Sequence, residues 1–244
     1  MSMRRKFLWS MATIAFLAGS ALLVSYGKTA AQKRRVTNQD PIVDFSDSES
    51  SDAKRQAKGR RYDRPKSPPI TELPAGDDVL PLNAHWWLGI PALPVPQSDA
   101  IVIGEVLGGR AYLSNNRSVV YSEFPVLVED VLKNCSPTPL FIGARIIAER
   151  WGGAVRFPSG KVQHYRAAKL GVPQPNEKYV LFLRCNGDDF DIITGYWISD
   201  GQVSPLDGDG GLQFSKYGNR TLDSFLQELR EAISTSLAKG VAEK

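Results

Sequence analysis

The residues able to carry chemistry are few and scattered. A nucleophile-and-base site needs a histidine within reach of a cysteine or serine, and the 244-residue chain holds two histidines, His85 and His164, and two cysteines, Cys135 and Cys185. His85 lies beside Trp86 and His164 within the strand-like run from Lys161 to Arg166, so both read as structural or surface residues. Without C-x-x-C or H-x-x-x-H spacing the four give only a weak zinc signature. Cys135 and Cys185 both fall near strand ends. In an oxidising compartment they read as a disulfide, closing a loop of about 50 residues worth about 4 kcal/mol by the entropy model, with two free thiols as the alternative. Asp207-Gly208-Asp209-Gly210-Gly211 begins like a calcium loop, but Gly211 replaces the third oxygen ligand and Gly218 stands where the bidentate glutamate belongs, so a flexible turn is expected. Asp188, Asp189 and Asp191 read as a solvated acidic turn. No motif implies a cofactor or a catalytic set. Basic and aromatic residues interleave at Arg150, Trp151, Arg156, Tyr165, Tyr196 and Trp197, which form the candidate binding surface, with core packing the competing role for the aromatics. Asn116, Asn134 and Asn219 each open a glycosylation sequon, relevant only in a eukaryotic source.

These residues must be positioned by strands. Ala100 to Val106 is a β-branched run, and Val119 to Leu132 is a long alternating one in which Val120, Ser122, Phe124, Val126, Val128, Asp130 and Leu132 face inward. Pro125 lacks an N–H and implies a bulge or an edge. Arg145 to Trp151 and Ala154 to Phe157 are separated by Gly152-Gly153, a bulge or kink. With the kinked stretch 145–157 counted as one, Lys161 to Arg166, Tyr179 to Arg184, Phe190 to Ile198 and Gln202 to Leu206 complete a set of six or seven short strands, the pattern of a barrel or sandwich. Leu222, Phe225, Leu226, Leu229 and Ile233 recur at helical spacing behind Thr221, so one amphipathic helix runs over 222–238. Packing on the barrel is its expected role, and a protein partner the alternative.

The first 98 residues differ in character. Arg4, Arg5 and Lys6 precede an apolar run from Phe7 to Val24, the charged-then-greasy order of an export signal. As a helix the run spans about 27 Å, close to a bilayer core, so 1–27 reads as a cleaved signal peptide or a retained signal anchor. Either fate places the rest of the chain outside the cytosol, in the periplasm or medium if cleaved and on the inner membrane otherwise. Residues 28–78 are charged and rich in serine and proline, and read as a disordered linker. In 79–98, Trp86, Trp87, Leu88, Leu93 and Val95 are threaded between prolines, which predicts an extended strap docked on the domain, or an exposed aromatic patch for a partner. The β domain with its helix occupies 99–238. The pI of 9.0 is misleading as a sign of nucleic-acid binding. Lys and Arg number three against no acid in 1–27, eleven against nine in 28–98 and sixteen against seventeen from 99 onward, so the folded part lacks the overall cationic excess of a nucleic-acid binder, which leaves open only a local basic patch.

The order I-V-I-G-E-V (101–106), V-L-V-E-D-V-L-K (126–133), V-R-F-P-S-G-K-V-Q (155–163), Y-V-L-F-L (179–183), I-T-G-Y (193–196) and P-L-D-G (205–208) resembles a group of uncharacterised exported bacterial proteins. In layout it is similar to the small five-stranded barrels of oligonucleotide/oligosaccharide-binding (OB) and netrin-like modules. The resemblance implies a mainly β fold, a five- to seven-stranded antiparallel OB-like barrel with a C-terminal helix, and no particular activity. The reading that follows is a non-enzymatic, exported or membrane-anchored binding or structural module, its partners the membrane through the N-terminal helix and an envelope protein or glycan. Two alternatives stand beside it: an envelope assembly component docking through its strap or C-terminal helix, and, less favoured, a hydrolase built on His164.

Overall fold

The computed structural model describes residues 40–47, 52–74, 79–81, 86, 88–137, 139–208 and 213–242. The expected export segment over 1–27 lies outside them, and among the described residues no helix is long and apolar enough to cross a membrane.

The fold is mainly β. In chain order its elements are β1 (Ile42–Asp44), α1 (Ala53–Arg61), β2 (Val79–Pro81), β3 (Ala100–Val106), β4 (Arg110–Leu113), β5 (Val120–Asn134), β6 (Arg145–Trp151), β7 (Gly153–Arg156), β8 (Val162–Arg166), β9 (Lys178–Asn186), β10 (Asp189–Ser199), β11 (Gln202–Pro205), a 3₁₀ turn (Gln213–Tyr217), β12 (Arg220–Thr221) and α2 (Leu222–Ala242). Five strands form a hydrogen-bonded ring. β3 lies antiparallel to β5 and β9, β5 to β6, and β9 to β10. A parallel contact of β6 with β10, through Ala148↔Phe190 and Glu149↔Asp191, closes it. Alternation in β5 points Phe124, Val126 and Val128 inward as expected, where they meet Val102, Leu181, Leu183 and Phe190, but register shifts in the β3–β5 ladder turn Val131 inward and Leu132, expected inward, to the α2 side. Pro125 falls in the gap between the β3 ladder, which ends at Val126, and the β4 ladder, which begins at Glu123. At that place a missing N–H breaks no strand pairing on the β3/β4 side.

Gly152 and Gly153 take φ of 102° and 147° and turn the chain out of the ring into a second sheet of order β1-β7-β8-β2. A Cβ on Gly153 would lie 2.9 Å from Ser122 Oγ and 3.0 Å from Val120, so the kink also needs the missing side chain. On the other side of the ring α2 lays Phe225, Leu226, Leu229 and Ile233 on Ile101, Val180, Phe182 and Tyr196. The strap adds Leu93 and Val95 to that layer, with Val95 buried. The helix runs to Ala242, four residues beyond the expected end.

The stretch 28–78, expected to be a disordered linker, is ordered over part of its length. β1 adds parallel to β7, Ile70 and Phe45 pack with Val155, Phe157 and Tyr165, and α1 docks on the ring. In this described part solvation is not the outcome, because Asp40, Arg55, Lys58 and Arg61 are paired with charges of the domain. The domain therefore begins before residue 99, with the described residues from 40 onward in one compact unit.

Candidate functional site

The site is built around α1 and the two strand ends beside it. Asp52 caps the helix, its Oδ1 accepting from the Lys54 N–H at 3.0 Å, which satisfies one of the orphan donors of the first turn. The helix has no apolar face. Its spacing of Lys54, Arg55, Lys58 and Arg61 gives instead a basic stripe, and the stripe meets acid.

Ring register sets Glu123 of β5 directly opposite Glu149 of β6, and Glu149 opposite Asp191 of β10, with Asp189 at the head of β10. Like charges in such cross-strand pairs repel. Lys58 resolves the repulsion: its Nζ lies 2.7 Å from Glu123 Oε1, 2.7 Å from Glu149 Oε1 and 2.6 Å from Asp189 Oδ2, and its side chain is 8% exposed. Arg55 grips both oxygens of Glu123, Arg61 reaches Glu149 at 3.3 Å, and the Tyr62 hydroxyl donates to Glu149 Oε2 at 2.6 Å. Burial works against the Lys58 ammonium, but its bonds to Asp189, Glu123 and Glu149 prevail and raise its pKa above the usual lysine range. Burial likewise pushes the Glu123 carboxyl upward, yet Arg55 and Lys58 hold it below the ordinary value. For Glu149 burial wins and its carboxyl is raised, despite Lys58, Tyr62 and Arg61. Neighbouring carboxylates are thus driven apart in affinity for the proton.

Beneath α1 runs an aromatic stack: Tyr112 on Tyr121 (5.6 Å), Tyr121 on Tyr62 (4.1 Å), and Tyr62 edge-on to Trp151 (6.2 Å). Arg55 caps Tyr112 at 3.8 Å and Arg64 caps Trp151 at 4.5 Å. Trp151, 40% exposed, opens onto a cleft of about 340 Å³ lined also by Trp86, Ile90, Arg150, Leu170, Arg184, Asp191 and Ile192. Arg150 is buried and stands 5.7 Å from the Trp86 ring. Its Nη1 donates to the Gly171 carbonyl and its Nη2 to Asp207 Oδ2, each at 2.6 Å, while its buried Nε has no acceptor. Asp207 therefore is a buried anchor, also accepting from Gly171 N–H and Thr194 Oγ1 at 2.8 Å, and not the head of a loose turn.

Of the six residues expected to share a binding surface, the cleft gathers only Arg150 and Trp151. Arg156 is on β7 and pairs with Asp44 at 3.3 Å. Tyr165 is buried in the second sheet, its hydroxyl unpartnered. Tyr196 is fully buried under α2, 4.7 Å from Phe225, and donates to the Ala92 carbonyl at 2.6 Å. Trp197, its neighbour on the opposite strand face, packs into the ring and donates to Glu177 Oε2 at 2.9 Å. Strand alternation separates what sequence proximity suggested. Of the expected acidic turn only Asp188 is left to solvent, exposed beside Lys54, while Asp189 is buried against Lys58 and Asp191 is half-buried beside Arg184.

Cys135 and Cys185 are free thiols in the structure, in place of the expected bridge. Both strand ends hold on to Asp99: Cys135 N–H donates to its carbonyl and Cys185 N–H to its Oδ2, each at 2.7 Å. That anchoring fixes the two ends without a covalent link. His85 lies outside the described residues. His164 Nδ1 meets Asp40 Oδ2 at 2.7 Å, and Arg166 Nε the same oxygen at 2.5 Å. This supplies the acid a hydrolase would need. Among the described hydrogen bonds no serine, threonine or cysteine side chain reaches His164, and no cluster among the described residues is arranged to hold a metal.

Comparison with protein-family models and with curated proteins returns no match.

Proposed function

We propose that the chain is a non-enzymatic binding module of OB-like architecture, delivered outside the cytosol by its apolar N-terminus, and that its ligand is a glycan. The fold reading is supported by the strand order of the ring. Counting β3, β5, β6, β9 and β10 as first to fifth, the ring runs first–second–third–fifth–fourth and back to first, with one parallel contact between third and fifth. Small barrels of this kind bind oligonucleotides and oligosaccharides on the second and third strands and the adjoining loops, and β6 supplies Glu149, Arg150 and Trp151.

The observation that carries the ligand reading is the cleft between Trp86 and Trp151. Apolar walls with a few fixed polar groups suit a ligand that is apolar on its faces and polar at its edges, as a pyranose ring is. Ile90, Leu170 and Ile192 give the walls, and Arg184 and Asp191 the edge contacts. Titration with soluble muropeptides and with chitooligosaccharides, followed by tryptophan fluorescence and by the Trp151 indole resonance, tests this. Saturable binding that falls at least tenfold in Trp151→Ala and Arg184→Ala is expected. Oligosaccharides that leave the cleft resonances unmoved at millimolar concentration sink the glycan reading.

The assembly alternative rests on Leu88 in the strap and Leu237 on α2, which are 70% and 50% exposed. Crosslinking in membranes that recovers only monomer removes it.

A further inference from the structure

A second cavity, of about 450 Å³, shares no lining residue with the tryptophan cleft. Four chain segments converge on it: Asp47 after β1, Arg55 from α1, Arg110 and Tyr112 from β4, and Arg117 from the turn before β5. Three guanidiniums thus face one carboxylate. Arg55 is neutralised by Glu123. Arg110 stands opposite Glu123 in the β4–β5 register, but that carboxylate is already held by Arg55 and Lys58. Among the described contacts Arg110 has only the Tyr112 ring, 5.2 Å away. Arg117 donates to the carbonyls of Phe45 and Asp47, both at 3.2 Å, and among the described contacts to no carboxylate.

Arg117 is also held in place. Its backbone takes the left-handed φ of 54°, which a non-glycine residue adopts only where its surroundings impose it. Those surroundings are the Asn116–Ser118 hydrogen bonds at 2.6 and 3.1 Å, the Arg117 N–H on the Ser114 carbonyl at 2.8 Å and the Ile70 N–H on the Arg117 carbonyl at 2.7 Å. The guanidinium rests over Phe45 at 5.2 Å. Arg110 and Arg117 outnumber the one carboxylate, Asp47, that faces them in this cavity, and a concave surface with such a cationic excess attracts an anion, while the planar fork of Arg matches a phosphate bidentately.

We propose that this cavity binds a phosphate group carried on a larger ligand, with Arg110 and Arg117 as the binding residues. Its volume is within the range of organic-ligand sites. The phosphate can belong to a lipid headgroup or to a soluble phosphate ester, and the test separates the two. Purified full chain is titrated with inorganic pyrophosphate by calorimetry, and its partition is measured on phosphatidylcholine vesicles with and without phosphatidylglycerol. Arg110→Gln, the double variant Arg110→Gln/Arg117→Gln, and the charge-matched control Arg230→Gln on the exposed side of α2 are run alongside, each checked for folding by thermal melting. Pyrophosphate binding that drops at least tenfold in Arg110→Gln, is lost in the double variant, weakens with salt and stays within twofold in Arg230→Gln supports a soluble phosphate ligand. A phosphatidylglycerol dependence that the double variant loses, without pyrophosphate binding, supports the headgroup. Wild-type binding by a folded double variant, or neither pyrophosphate binding nor phosphatidylglycerol dependence in the wild type, overturns the proposal.

Discussion

At Lys58 one ammonium answers three carboxylates that would otherwise repel one another. Removing it leaves Glu123, Glu149 and Asp189 crowded without their common cation, and breaking a buried ion pair from one side costs about 3–5 kcal/mol. Lys58→Met is therefore expected to lower the stability from urea unfolding by about 3 kcal/mol or more, with α1 released as read by amide exchange over 53–61. The proton inventory of the same cluster sets a pH dependence. Glu123, held low, contributes stability that is full above the unfolded glutamate pKa of about 4.3 and is lost as pH falls through its depressed native value. Glu149, held high, does the reverse: its contribution is full below about 4.3 and is lost as pH rises through its raised native value. Glu149→Gln is expected to remove that alkaline decline. Urea unfolding of variant and wild type from pH 4 to 8 checks it, and two curves of equal slope would contradict the assignment.

Among the elements, α1 is the instructive one. Nine residues with no apolar face give no hydrophobic period to detect, and helix recognition from sequence depends on that period. The available signals were Asp52 as a cap and the basic residues at 54, 55, 58 and 61, but such a stripe is as consistent with a solvated segment. The strands of the ring were legible for the opposite reason, whereas β1, β2, β4 and β12 are too short to show an alternation. β3 occupies the β-branched run Ala100–Val106, β11 begins after the Asp200-Gly201 turn, and Gly152-Gly153 marks the kink between sheets, because each of these signals is local. The candidate site was mostly illegible, since which aromatic lies on a cleft and which under a helix depends on ring closure. Gly59 makes the same point within α1. A glycine inside a helix ordinarily costs about 1 kcal/mol relative to alanine, but a Cβ here would come 2.2 Å from Asn115 Oδ1, and Asn115 Nδ2 donates to the Gln56 carbonyl at 2.9 Å. Gly59→Ala is expected to raise the helicity of an isolated 52–63 peptide yet lower the melting temperature of the protein. Circular dichroism of both separates the two effects.

At the scale of the molecule, three apolar layers meet at the ring: its interior, the seat of α2, and the second sheet with its N-terminal additions. The α2 layer is centred on Phe225, which is fully buried against Tyr196 and Tyr217. Phe225→Ala is expected to cost about 3–5 kcal/mol, measured by urea unfolding. β1 and β2 flank the β7–β8 hairpin on both edges, so the second sheet is completed only by chain that precedes the ring. The seat of α1 has the converse dependence. Glu123, Glu149 and Asp189 follow Lys58 by 65, 91 and 131 residues. A chain made from its N-terminus releases this basic segment first and its third acidic partner long after. Until β10 has been synthesised the helix has no complete berth, and contacts so distant along the chain form slowly. Throughout that interval the cationic stretch lacks its full set of carboxylate partners, and its final seating marks a closed ring of strands.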